Sequence, residues 1–141
     1  MNIRDVMTPN PKYVSPNDSI LNAARIMRDE DTGVVPVCEG DRAVGIVTDR
    51  DIVVRVIAED GQLNRPVRDI ATRIIVSVTP DMSTREAAEL MSEHQVRRLP
   101  VVEGERLVGI VSIGDLAVKE AKDSRIGDTL EHISEGVKER G

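Results

Sequence analysis

The sequence predicts an α/β chain: two β-α-β-β-α units packed one against the other, followed by a C-terminal helix. Three observations predict it. The chain of 141 residues repeats itself, since Asp41-Arg42-Ala43-Val44-Gly45-Ile46-Val47-Thr48 returns as Glu105-Arg106-Leu107-Val108-Gly109-Ile110-Val111-Ser112. The offset of 64 residues holds without a gap over most of the chain. Arg4-Asp5-Val6 answers to Arg68-Asp69-Ile70, Val14-Ser15-Pro16 to Val78-Thr79-Pro80, and Pro36-Val37 to Pro100-Val101. Helical and extended apolar patterns then follow the same order in both copies. Finally, two copies are too few for a solenoid, which needs about three, so each must bury its apolar surface against the other. Residues 1–58 form the first repeat, 59–66 a linker, 67–121 the second repeat and 122–141 a tail.

The elements of repeat one run as follows. A short extended stretch lies around Tyr13-Val14. Ser19 opens a helix whose apolar Ile20, Ala23, Ala24 and Met27 fall at i, i+3, i+4 and i+7. In repeat two Ser83 opens the equivalent helix, and Glu86 three residues later predicts a capping box. Val34-Val35-Pro36-Val37-Cys38 is a strand, Glu39-Gly40-Asp41 a tight turn, and Arg42 to Val47 the returning strand. Pro36 and Pro100 lack an amide donor, which places them at a sheet edge or strand start. Asp49 to Glu59 reads as a second helix, apolar at Ile52, Val53, Val56 and Ile57. Gly61 and Pro66 punctuate the linker. In the tail, Ile126, Leu130, Ile133 and Val137 predict an amphipathic helix that packs on its own chain or in a dimer contact.

Composition narrows the function. The formal net charge is −6, from 25 acidic and 19 basic side chains, and Tyr13 is the one aromatic residue. Nucleic acid is excluded as a partner, because phosphate backbones call for a basic surface and single strands for stacking platforms. No apolar run reaches the roughly 18 residues of a membrane span, and the N-terminus lacks the apolar core of a signal peptide. The single cysteine, Cys38, cannot form an internal disulfide, which fits a cytoplasmic location. Within its apolar strand it reads as a buried, inert thiol. His94 and His132 have no ligand-spaced partner, and Asp49 and Asp51 diverge at a helix start, so no metal site is expected. No nucleophile–base constellation points to an enzyme.

The chemistry concentrates in a strand-to-helix junction that occurs twice: Gly45-Ile46-Val47-Thr48-Asp49-Arg50-Asp51 and Gly109-Ile110-Val111-Ser112-Ile113-Gly114-Asp115. Each delivers a hydroxyl to a helix start, with a carboxylate three residues on. Helix N-termini suit phosphate, and a carboxylate one turn in can accept from a ribose diol. The glycines let backbone or ligand come close. Thr48 with Asp51, and Ser112 with Asp115, fit a capping box equally well, and one residue pair can serve both ends.

These motifs carry a family resemblance. The Arg-Asp openings at Arg4 and Arg68, the Ser/Thr-Pro steps at Ser15 and Thr79, Ala-Ala-x-x-Met at Ala23 and Ala87, the Pro-Val strands and the two junctions recur in order at one offset. The chain resembles a tandem pair of CBS domains, the module also called a Bateman domain, and is similar to stand-alone bacterial CBS-pair proteins. The resemblance runs from Ile3 to about Ala121. It implies two units related by a pseudo-twofold and packed through their sheets. It implies two clefts for adenosine-containing ligands such as AMP, ADP, ATP or S-adenosylmethionine, with the base held among aliphatic side chains and backbone. It also implies disc-shaped homodimers. Carried over, Thr48 and Ser112 approach ligand phosphate while Asp51 and Asp115 hold the ribose.

The clefts are expected to be unequal. Repeat two has His94-Gln95-Val96-Arg97-Arg98 where repeat one has Glu30-Asp31-Thr32-Gly33-Val34, without a cation. Basic residues at that place reach ligand phosphates in the family the chain resembles. The expectation groups Arg97 and Arg98 with Ser112 and Asp115 as the fuller phosphate site, while Arg50 in the first junction stands opposite Gly114. The function expected is a non-catalytic sensor of an adenosine-containing ligand that changes shape or affinity for a protein target. The alternative is a structural dimerisation or protein-interaction module with empty clefts.

Overall fold

The computed structural model describes the backbone of residues 1–123 and the side chains through Val118. The helix expected in the tail lies outside the described residues. The elements are β1 (Thr8–Pro9), α1 (Ile20–Asp29), β2 (Val34–Glu39), β3 (Arg42–Thr48), α2 (Asp49–Ile52), β4 (Thr72–Arg73), α3 (Thr84–His94), β5 (Arg98–Glu103), β6 (Arg106–Ser112) and α4 (Ile113–Asp123). A single 3-10 turn opens each repeat, at Ile3–Asp5 and Val67–Asp69.

Local chemistry explains α1 and α3. Ser19 Oγ accepts from Asn22 N at 3.0 Å and Ser83 Oγ from Glu86 N at 3.1 Å, each satisfying an amide that the first helical turn leaves unpaired. The expected capping box at Ser83 is one-sided: Ser83 Oγ accepts from Glu86 N, and no return bond from Ser83 N to the Glu86 carboxylate forms. α1 buries Ile20, Ala23 and Met27, and α3 buries Thr84, Ala87 and Met91. Both helices end into a residue of positive φ, Asp31 at 51° and Gln95 at 54°, again 64 residues apart.

The hairpins β2–β3 and β5–β6 pair antiparallel around turns at Gly40 and Gly104, whose φ values of 65° and 63° favour glycine. Pro36 and Pro100 each turn their outer edge to one parallel bridge, Val14 N donating to Pro36 O and Val78 N to Pro100 O, both at 3.0 Å. No ladder amide is needed from either proline, as the sequence predicts.

The repeats interlock. β1, from repeat one, pairs with β6 of repeat two, and β4, from repeat two, pairs with β3 of repeat one. A direct rung at Arg42 and Arg106 joins the hairpins into one six-stranded sheet. The exchange extends to the turns before β1 and β4. Ile3 N donates to Met82 O at 2.9 Å, and its mate Val67 N donates to Asp18 O at 2.8 Å. Arg4 pairs with Asp81 and Arg68 with Asn17. Consequently Ile3 belongs to the core of Val78, Ala87, Met91, Leu99, Val101, Val111 and Leu116, whereas Val67 and Ile70 belong to the core of Val14, Ile20, Val35, Val47, Ile52 and Val56. Each core is completed by the other repeat's opening residues.

The junction glycines permit this crossing. A Cβ on Gly45 would lie 3.1 Å from Thr72 O, and one on Gly109 would lie 3.0 Å from Thr8 O and 2.5 Å from Met7 Sδ. The close approach foreseen for these glycines is that of the other repeat's backbone.

The second helix of repeat one differs from expectation. α2 covers only Asp49–Ile52 and passes into a π-helical turn, Val53–Ile57. Ala58 N donates to Val53 O and Gly61 N to Val56 O, both reaching back five residues. Ile52 and Val56 are buried, but Val53 is 54% and Ile57 61% exposed. The apolar run is therefore divided between core and surface.

Candidate functional site

The two junctions have the same local geometry. Thr48 Oγ1 accepts from Asp51 N at 3.1 Å, while Asp51 Oδ2 accepts from Thr48 N at 2.9 Å. Ser112 and Asp115 repeat both bonds at 3.1 Å. The capping reading is thus realised at both places. It leaves chemistry unused: each carboxylate spends one oxygen, and each hydroxyl accepts a bond while keeping its own proton to donate. At Asp51 the second oxygen, Oδ1, stands 3.8 Å from Arg55 Nε. Arg55 Nη1 donates to Ile70 O at 3.2 Å, so this side chain ties the first junction to the start of repeat two.

Asp51 lies in a cavity of about 530 Å³ between the repeats. One wall is Ile46 with Thr48–Asp51. The opposite wall is the run from His94 to Pro100. The segment Thr72–Val76 spans the gap, pairing with β3 at Thr72 and Arg73 and continuing to the parallel bridge of Val78 with Val101 beside β5. Ile46, Ile74, Ile75 and Val76 give the cavity an aliphatic lining, and no ring is needed to face a planar group. Asp51 is only 16% exposed.

The pseudo-equivalent cleft is lined by Thr8–Lys12, Ile26, Glu30, Thr32, Val34 and Ile110 and holds about 170 Å³. Ser112 lies two residues beyond Ile110 on the same face of β6, as Thr48 lies beyond Ile46 on β3. Ser112 and Asp115, expected as ligand-binding residues, line neither this cleft nor the large cavity.

Arg97 and Arg98 therefore stand elsewhere than expected. Their backbone is paired with the second junction, through the Arg98–Ser112 rung and the 2.8 Å bond from Ile113 N to Arg97 O. The cavity they line is nonetheless that of Thr48 and Asp51. The cause is the exchange of segments: Thr72–Val76 leaves β3 and runs alongside the start of β5, which sets Arg97 and Arg98 across from the first junction. Arg50 and Arg73 line the same cavity. Arg73 was not singled out from sequence, because its mate at the repeat offset is Pro9 and the position shows no shared pattern. Arg55 was hidden among the apolar residues of the expected helix.

Comparison with known proteins agrees with this architecture. The family model for the CBS domain matches residues 3–58 and 67–121. The chain belongs to the CBS-domain family. Over 132 residues this CBS pair is 41% identical to the CBS domain-containing protein YhcV of Bacillus subtilis, covering 94% of either chain. It superposes on the CBS domain pair of protein MJ0100, solved with 5-methylthioadenosine and S-adenosyl-L-methionine, with a TM-score of 0.78 at 25% identity, covering 88% of this chain and 98% of that one. The CBSX2 structure in complex with AMP matches with a TM-score of 0.73 at 27% identity, covering 88% and 98%.

Other features of this CBS pair are structural. Burial, and secondarily Asp41, pushes the Cys38 thiol up to about 11, so it stays protonated near neutral pH. Among the described residues no group of three or more His, Cys, Asp or Glu side chains comes together for a metal ion. No helix among them is long and apolar enough to cross a membrane.

Proposed function

We propose that this CBS pair is a non-catalytic regulatory module that binds an adenosine-containing ligand in the Thr48–Asp51 cleft. The observation that carries the proposal is Asp51 itself, a largely buried carboxylate facing a 530 Å³ cavity with only one oxygen committed to its cap. Its Oδ1 accepts from a ribose hydroxyl, the Thr48 hydroxyl donates to a phosphate oxygen, and Arg97 and Arg98 neutralise that phosphate from the opposite wall. The base lies among Ile46, Ile74, Ile75 and Val76. α2 has only four residues and its Asp51 amide is already capped, so the phosphate is held by side chains more than by a helix end. At the lesser cleft Ser112 takes the phosphate role and Asp115 the ribose role, beside the 170 Å³ cavity and outside its lining. The complexes of MJ0100 and CBSX2 support the ligand class, being adenosine compounds in the same fold.

Both repeats contribute to the cleft, so a ligand that bridges them favours one relative arrangement. The shift is bounded by the ligand's affinity difference between arrangements. In this reading 1–58 and 67–121 are the two sensing halves, 59–66 their linker, and the target is a protein contacted in the cytoplasm. A homodimer forms through the exposed Val53, Val54 and Ile57.

The test is thermal unfolding of the full chain with AMP, ADP, ATP, NAD or S-adenosylmethionine. A true ligand at about 100 times its Kd stabilises by about 2.7 kcal/mol. No shift with any compound overturns the proposal. That result favours the second reading, an interaction module, for which the fully formed capping boxes and the exposed valines and isoleucine already speak.

A further inference from the structure

The charge of the Thr48–Asp51 cleft runs against that of the chain. The protein carries a formal net charge of −6. Yet Arg50, Arg73, Arg97 and Arg98 all line this one cavity. Among the described residues none of the four comes within ion-pair distance of a carboxylate. The two acids that share the cavity, Asp49 and Asp51, are outnumbered two to one by these arginines, and each commits one oxygen to a backbone amide, Asp49 Oδ1 accepting from Arg50 N at 2.8 Å and Asp51 Oδ2 from Thr48 N at 2.9 Å. The arginines come from three separate pieces of chain: the junction, β4 and the run into β5. A guanidinium offers up to five donors in a planar fork, matched to two oxygens of one phosphate. Four forks exceed what a single terminal phosphate can occupy.

We infer that this cleft takes an adenosine ligand bearing a chain of two or more phosphates, in preference to the monophosphate or to a sulfonium compound. The inference rests on the adenosine-binding reading above and extends it to the charge and length of the ligand. Arg97 and Arg98 hold one part of the phosphate chain, and Arg50 and Arg73, from the other segments, hold the rest. A ligand whose adenosine carries a positively charged sulfur meets like charge in the same space. The pseudo-equivalent cleft makes no such demand, since Lys12 there is offset by Glu30, and Pro9, Gly33, Val34 and Gly114 replace the four arginines.

Isothermal titration of the full chain in EDTA with AMP, ADP, ATP, S-adenosylmethionine and inorganic tripolyphosphate tests this. ATP is expected to bind at least about tenfold more tightly than AMP, a difference of about 1.4 kcal/mol. Added salt should weaken ATP binding more steeply than AMP binding. In Arg50→Ala and in Arg97→Ala the ATP-to-AMP ratio should fall toward one, with AMP affinity changed less than ATP affinity. All these side chains are exposed or half-buried, so unchanged melting temperatures will verify that the variants fold. AMP binding as tightly as ATP, or S-adenosylmethionine binding most tightly, overturns the inference and leaves the adenosine reading standing. Tripolyphosphate binding as tightly as ATP, or no binding by any nucleotide, overturns both.

Discussion

The two clefts share a backbone plan and differ in their walls. Both have a hydroxyl and a carboxylate closing the same pair of hydrogen bonds at the end of a central strand. Both are spanned by a segment borrowed from the other repeat. One encloses about 530 Å³ among four arginines; the other encloses about 170 Å³ beside Pro9, Pro11, Lys12 and Glu30. The difference teaches that the repeated motif builds the frame, while unrepeated residues on the facing segment decide what the frame can hold. Function lives in the site and not in the fold, even inside one molecule.

The sharpest way to test the shared frame is to damage both cores alike. Ile3→Ala and Ile70→Ala each remove a fully buried side chain at an exchanged opening turn. Each should destabilise by about 2–5 kcal/mol in denaturant melts. A much smaller loss from either would mean that its turn is not part of the core. The unlikeness of the clefts is tested next. Asp51→Ala and Asp115→Ala each remove the carboxylate half of an equivalent capping box, one hydrogen bond apiece, costing stability about equally, roughly 0.5–1.5 kcal/mol each. Binding should separate them: calorimetry with ATP is expected to show more than about tenfold loss for Asp51→Ala, over 1.4 kcal/mol, and little change for Asp115→Ala. Equal losses would break the comparison.

Smaller effects refine it. Arg55→Ala frees Asp51 Oδ1 and cuts the tie to Ile70, and a few-fold weakening of ATP is expected, on the scale of a partly exposed ion pair. Arg55→Lys should recover only part, since the donor to Ile70 O is lost. The smallest effect concerns Cys38, whose mate is Val102. Burial raises its folded pKa from the ordinary 9.0 to about 11, so the protonated thiol's contribution is intact below pH 9 and is lost as pH climbs toward 11. Melting temperatures across that window should fall less steeply in Cys38→Val than in the parent chain.

Much of this was legible in the sequence for a specific reason. An exact offset fixes local structure, because helix caps at Ser19 and Ser83, hairpin turns at Gly40 and Gly104, and edge prolines at 36 and 100 depend on neighbours close in sequence. The partners of Ile3, Val67, β1 and β4 were not legible. Periodicity reads the same whether an opening segment packs on its own repeat or on the other. The same blindness moved Arg97 and Arg98 to the wrong cleft, since their nearness to Ser112 along the hairpin was visible and the crossing segment that reorients them was not. The π turn was hidden because Ile52, Val53, Val56 and Ile57 fit an α-helical stripe equally well. Only burial distinguishes Val56 from Val53.

The exchanged opening turns carry a consequence for how the chain assembles. A fragment ending in the linker would keep Ile3 but lack the hydrophobic pocket it fills, and would expose a core missing Val67 and Ile70. Neither half is a self-sufficient folding unit, so the full chain should melt in a single cooperative transition. Two fragments cut within the linker, each silent alone, should restore one another when mixed, and calorimetry showing two independent melts in the intact chain would argue against that interdependence. The linker thus serves to hold two mutually dependent halves at high effective concentration.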